Sequence, residues 1–417
     1  MSRWSQTAVR CVLCVGVAAL SARWLAAEEV PDVPLDFTIR LDTVLEHDDG
    51  EFLWFHPRVA AVPGAGKDGQ PAVVLTLQKH LGTSDHYSGL YSMRTDDGGT
   101  TWTEPALPPE LDWQRDGKVD IAVADVTPGY HPQTGKVIAL GAQVRYSATG
   151  EQLEDVPRAH QTAFSLYDPQ TNGWTRWQRL DMPDEPDFNL ARNACSQWLV
   201  KPDGTLLVPL YHGVSGSSPA KVSVALYRFD GTTLTYVTRG NTLEQNEIRG
   251  LAEPSLAFFG GRYYLTVRHD LRGYVTTSDD GLHYEPLRPW TFDDGAELGS
   301  YNTQQHWVAQ SQALFLVYTR RGADNDHIMR NRAPLFIARV DPERLCVLRA
   351  TERVLIPERG ATLGNFGAAA ISPDESWVTV SEGLWNDDAR KRGAKGATFA
   401  ARVFWSRPNE LLPGAAE

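Results

Sequence analysis

Short apolar runs separated by polar turns recur along the chain from Leu35 to Trp405. "PAVVLTLQKH", "KVIALGAQVRY", "GTLLVPLYHG", "KVSVALYRFDG", "RYYLTVRHD", "ALFLVYTRR" and "WVTVSEG" each have the length of one strand and are rich in β-branched or aromatic residues. "PDGT", "FDGT" and "FGGR" supply hairpin turns between them. No amphipathic helix longer than about twelve residues is readable. Candidate inner strands begin near Pro71, Val137, Leu206, Tyr263, Leu314 and Trp377, at intervals of roughly fifty to seventy residues. This spacing predicts an all-β fold: a six-bladed β-propeller of four-stranded antiparallel blades, one domain over residues 35–410.

One stretch repeats in corrupted form. "MRTDDGGTTWTEP" contains Thr95-x-Asp97-x-Gly99-x-Thr101-Trp102, and a second copy reads Thr277-x-Asp279-x-Gly281-x-His283-Tyr284. Glycine favours positive φ, Asp accepts bonds from turn amides, and Thr-Thr-Trp favours a strand. Both copies follow a strand pair. That placement predicts hairpin corners, with Asp97, Gly99, Trp102, Asp279 and Gly281 as structural residues.

Composition narrows the partners. The net charge is −12 and no Lys/Arg run is long enough for a nucleic-acid or membrane-surface patch, so no nucleic-acid partner is expected. An anionic ligand then needs a locally focused basic pocket. The first 27 residues carry Arg3 and Arg10, an apolar run from Cys11 to Leu20, and small residues before an acidic stretch. That order is expected of a signal peptide cleaved after Ala22 or Ala27, with secretion or a periplasmic location for the mature chain. The run is too short to span a bilayer. Cys195 and Cys346 survive such cleavage and could pair. No Cys/His spacing has the form of a zinc site, and "DNDHIM" lacks the Gly and distal Glu of a calcium loop. Neither metal nor cofactor is expected.

The two corner motifs resemble the Asp-box (BNR repeat) of the sialidase (neuraminidase) superfamily, Ser/Thr-x-Asp-x-Gly-x-Thr-Trp/Phe. The resemblance implies a sialidase-like propeller with the boxes on its outer rim, acting on a glycan or glycoconjugate. Members of that family clamp a sugar carboxylate with three arginines; guanidinium forks onto carboxylate and stays charged when desolvated. "WFHPRVAAVP" offers Arg58 as the first. "EPSLAFFGGRYYLTVRHDLRGYVTTSDDG" is similar to the family run of Glu, strand, Arg, strand and box, with Glu253 as catalytic glutamate and Arg268 as second arginine. "MRNRAPLFIARVD" places Arg332 as the third, with Arg330, Arg320 and Arg321 competing. Asp85, on the loop before the first box, matches the acid/base aspartate.

The last blade departs from the family. In the register of "GNFGAAAISPDESWVTVSEG", Phe366 stands where the nucleophilic tyrosine belongs. "GSYNTQQHWVAQS" offers substitutes: Tyr301 as nucleophile or base, His306 as base, and Gln304 as a binding amide. Alternation along a strand sends Gln304 and His306 one way, Gln305 and Trp307 the other. His327 is a further loop histidine. The resemblance therefore implies exo-hydrolysis of a terminal carboxylate-bearing sugar. A lyase or other glycosidase in the same cleft, or a non-catalytic carbohydrate-binding propeller, are the alternatives.

Overall fold

The computed structural model describes Met1 and residues 35–82, 85–153, 162–214 and 218–412. The leader reading over residues 1–27 therefore falls almost wholly outside the described residues. Leu35–Glu417 forms one compact unit.

Six antiparallel sheets follow one another along the chain. The first blade is Leu53–Val62, Ala72–His80 and Tyr87–Thr95, three strands where four were expected. The second is built on Val119–His131, Lys136–Tyr146 and Thr162–Asp168, and the third on Leu190–Arg192, Leu206–Gly213, Lys221–Phe229 and Leu234–Arg239. The fourth contains Ala252–Phe259, Arg262–Arg268, Tyr274–Ser278 and Arg288–Pro289. The fifth contains His306–Gln310, Ala313–Tyr318, Leu335–Asp341 and Cys346–Val347. Gly367–Ser372, Glu375–Ser381 and Ala397–Trp405 make the sixth, and Phe37–Glu46 from the chain start pairs onto its edge, Phe37 opposite Trp405. Closing the ring with a strand from the other end removes a free edge. Among the described residues, no helix is long and apolar enough to cross a membrane.

The expected inner strands prove to be second strands. Ala72–His80, Leu206–Gly213, Arg262–Arg268, Ala313–Tyr318 and Glu375–Ser381 each lie one place in from the edge of their sheets, and Lys136–Tyr146 lies next to Val119–His131, which Gln114–Asp116 borders on its other side. A second strand is covered on both faces by neighbouring blades, so its sequence is almost continuously apolar. Val73, Leu75 and Leu77, with Trp377 and Ala400 of the sixth blade, form one such packed layer. Ile138 and Leu140 with Leu206 and Val208 form another between the second and third blades. The first strands face the axis and carry polar residues, which interrupts the apolar pattern used to find strands.

Both corner motifs are architectural. Asp97 accepts from the Thr101 amide at 2.8 Å and hydroxyl at 2.7 Å, and from the Thr95 hydroxyl at 2.9 Å. Those bonds hold its carboxyl down at about 2. In the second copy the expected residue is corrected by one position. Asp280, not Asp279, accepts from the Ser278 hydroxyl at 2.9 Å and from the Leu282 and His283 amides at 2.8 Å. Asp279 points outward to Arg262. The second corner is one residue shorter, so counting back from Gly281 with the first spacing selects the wrong carboxylate. Gly99 and Gly281 keep their places, at φ +81° and +79°. A Cβ on Gly99 would sit 3.0 Å from Trp377, and one on Gly281 2.5 Å from Leu207. Each glycine thus seats its corner against the second strand of the preceding blade, and Trp102 lies 6.0 Å from Trp377 across the same seam.

Candidate functional site

The first strands and the segments that flank them share one local device. His56, Asp125, Cys195, Glu253 and Asn302, from five successive blades, all have φ between +46° and +58°. At His56, Asp125 and Glu253 the strand pairing slips, between Phe55 and Arg58, Ala124 and Thr127, and Ala252 and Ser255. A bulge of this kind re-aims a side chain, and left-handed backbone at non-glycine residues is strain that surrounding packing must hold. Four of the five, His56, Asp125, Cys195 and Glu253, line a single cavity of about 630 Å³. All six blades contribute to its wall, so it lies on the propeller axis.

The wall carries charges of both signs. Arg268 donates to Glu253 through Nη1 and to Asn302 Oδ1 through Nη2 at 2.6 Å. Glu253 Oε2 is buried with no partner. Arg332 donates from Nε to the Thr303 hydroxyl at 2.8 Å and from Nη2 to the Asn302 carbonyl at 2.7 Å. Burial, with the like charge of Arg268, lowers its guanidinium to about 10. Arg192 stacks over the Tyr211 ring at 5.7 Å, and its buried Nε has no partner. Among the described residues neither Arg192 nor Arg332 is ion-paired to a carboxylate. Asp85 also lines the wall, exposed, where its carboxylate accepts from Tyr87 at 3.3 Å and its carbonyl from Tyr146 at 2.6 Å. His56, Asp125 and Cys195 bring an imidazole, a carboxylate and a thiol within 4.8 Å of one another, a group that could hold a metal ion.

The residues anticipated from sequence therefore separate into two sets. Asp85, Glu253, Arg268 and Arg332 meet at the cavity, with Arg330 exposed at its margin. Arg58 does not line it: it is 2% exposed, with one long bond to the Val126 carbonyl at 3.5 Å and Nε and Nη2 unpartnered. The slipped pairing turns its neighbour His56 to the axis instead. Tyr301 is also off the wall, its hydroxyl bound to Asn331 at 2.8 Å and its ring under Arg321. Gln304 and His306 are wholly buried and both reach the Phe366 carbonyl, whereas Gln305 bonds Thr266 and Trp307 bonds the Ser255 carbonyl. The expected alternation holds, but neither face is the cavity. Burial, aided by the Arg58 charge, lowers His306 to about 3, so the ring is neutral. Phe366 is core, and Asn365 beside it reaches the wall. Arg320 is paired to Glu352 and His327 to Glu358. Cys195 and Cys346 are both free thiols, which removes the disulfide between them.

Sequence reading missed Arg192, Tyr211, His56, Asp125 and Cys195. Asp125, a charge inside the apolar run "IAVADV", was a visible signal, because a strand interior seldom carries a carboxylate. The Tyr211 hydroxyl has no hydrogen bond to any described residue, and its phenol is raised above the ordinary range first by burial.

No family model matches the chain, and no curated protein does. Solved structures do match in fold. The NanB sialidase of Streptococcus pneumoniae aligns at TM-score 0.59 and 13% identity, over 87% of this chain and 70% of that one. A Trypanosoma rangeli sialidase in complex with the inhibitor DANA aligns at 0.54 and 14%, over 85% of this chain and 55% of that one. The phage phi92 endosialidase aligns at 0.54 and 11%, over 91% and 70%. At such identities the likeness is one of fold, and the fold this chain shares with these sialidases is the six-bladed propeller.

Proposed function

We propose that this protein is an exo-acting glycosidase that removes a terminal carboxylate-bearing sugar from a glycan. The observation that carries the reading is the pair of guanidiniums, Arg192 and Arg332, which line the axial cavity beside Arg268 and, among the described residues, have no carboxylate of their own. A buried cationic group lacking a counterion favours an anionic guest, and forked donors suit a carboxylate. Arg192 takes the place in this clamp that sequence reading gave to Arg58.

The chemistry follows from the remaining wall. Asp85 gives its proton to the leaving glycosidic oxygen as that oxygen parts from the anomeric carbon. Tyr211, in place of Tyr301, supplies the attacking phenol oxygen, and Glu253 takes the phenol proton on its unpartnered Oε2. Phenol is the suitable nucleophile because a carboxylate would be repelled by the substrate's own. Water then attacks the anomeric carbon, its proton returns to Asp85, and Tyr211 is released with the proton held by Glu253. The elimination alternative with His306 as base loses support, since that imidazole is enclosed between Ser255 and the Phe366 carbonyl.

The test is product analysis on a panel of aryl and natural glycosides of acidic sugars, each paired with its methyl ester. Release of the intact sugar from the acid and not from the ester is expected. Absorbance from an unsaturated uronate would replace hydrolysis by elimination, and saturable binding without any product would leave a carbohydrate-binding propeller. Export by the N-terminal leader belongs to the same proposal and is tested by sequencing the N-terminus of the mature protein.

A further inference from the structure

We infer that His56, Asp125 and Cys195 form a binding site for one divalent, thiol-seeking metal ion of the zinc class. This inference stands apart from the glycosidase reading, because it is read from metal binding and not from turnover.

The geometry is compact. His56 Nε2 lies 2.9 Å from Asp125 Oδ1, and Cys195 Sγ lies 3.2 Å from the same oxygen. All three donor atoms fall within 4.8 Å of one another. Zinc bonds of about 2.0–2.3 Å to nitrogen, oxygen and sulfur span a triangle of this size. The donors come from three blades, and each sits at left-handed backbone, φ 52°, 58° and 51°. The Cys195 amide also donates to the Asp125 carbonyl at 3.0 Å, which ties the second and third blades together at the site. The other ring nitrogen of His56 is buried and has no partner, in a side chain 3% exposed. Nε2, which faces Asp125, is thus the ligating nitrogen, and Nδ1 carries the proton.

Donor chemistry decides which ion fits. Asp125 offers a carboxylate, His56 an imidazole nitrogen and Cys195 a thiol. The thiol must become a thiolate to ligate: Cys195–SH loses H⁺ to solvent as the S–metal bond forms. One thiolate and one carboxylate then neutralise a divalent ion, and Arg58 leaves the assembly with a net positive charge. Thiolate and imidazole disfavour calcium and magnesium and select zinc or its neighbours. The three residues line the cavity, so three protein ligands leave a further position facing the axis.

The experiment uses the full chain in a Cys11→Ser/Cys14→Ser/Cys346→Ser background, leaving Cys195 as the single thiol. The chelator-stripped protein is titrated with Co²⁺, then with Zn²⁺. One ion per chain, a cobalt–thiolate charge-transfer band and its loss with one equivalent of Zn²⁺ are expected. Cys195→Ser should abolish the band, and Asp125→Asn should weaken binding at least tenfold, with circular dichroism checking the fold. Absence of stoichiometric binding in the background chain overturns the inference without reference to any variant. So does a band that survives Cys195→Ser. Metal bound by a chain that releases no sugar would refute the glycosidase proposal and leave this site standing.

Discussion

Removal of Arg268 gives the sharpest energetic test of the site. Its side chain is 11% exposed and that of Glu253 14%, so the pair belongs with buried ion pairs, not surface ones. Arg268→Ala deletes the partner of Glu253 and the bond to Asn302 Oδ1, and leaves a carboxylate with neither oxygen satisfied. Breaking a buried pair from one side costs about 3–5 kcal/mol, most of it the desolvation of the charge left behind. Glu253→Ala strands Arg268 in the same way, with Asn302 still accepting from it, and should fall at about 3 kcal/mol. The double variant leaves neither charge stranded. Its loss should therefore fall at least 2 kcal/mol short of the sum of the single losses. Urea unfolding of all four proteins at one ionic strength measures this, with unchanged slopes required before midpoints are converted to energies. Additivity within about 0.5 kcal/mol would show that the two side chains are independent and would refute the reasoning.

Acid should destabilise the fold through its buried histidines. His306 is lowered to about 3 and His212 to about 4, in each case first by burial, against an unfolded value of about 6.5. Unfolded chains take up these protons first, so stability is full above about pH 6.5 and falls by about 1.4 kcal/mol per unit per histidine towards the folded values. His306→Asn should remove one proton's worth of that slope between pH 6 and 4.5, and an unchanged slope would contradict a neutral His306. Tyr211→Phe should abolish turnover while ligand affinity stays within about tenfold, roughly 1.4 kcal/mol. Tyr301→Phe should keep turnover, and the reverse pattern in steady-state kinetics would return the chemistry to the fifth blade. Asp280→Ala should cost about 1 kcal/mol or more through its lost turn bonds, whereas Asp279→Ala should stay within about 0.5 kcal/mol. Thermal melts yielding equal losses would disprove the corrected register of the second corner.

The chain's short-range physics is legible in its sequence. Strand length, hairpin turns and the Asp97 corner depend on residues within a few places of one another, through steric limits on φ, side-chain-to-amide bonds and period-two burial. Six repeats of that local pattern also sufficed to indicate a six-bladed ring, and "EPSLAFFGGRYYLTVRHD" carried Glu253 and Arg268 to the wall because both lie on one hairpin. What the tertiary structure alone decided is which residues from different blades meet. The second strands were mistaken for inner ones because continuous apolarity reports two covered faces, not distance from the axis. Arg58 and His56 exchange places because pairing slips between Phe55 and Arg58. Tyr301 and His306 leave the site because the approach to the fifth blade packs against Asn331 and Phe366. Left-handed backbone at His56, Asp125 and Cys195 has only a faint signature in residue type: Asp and His visit it more often than most side chains, yet most of them are not in it, and the contacts of a closed ring select these three.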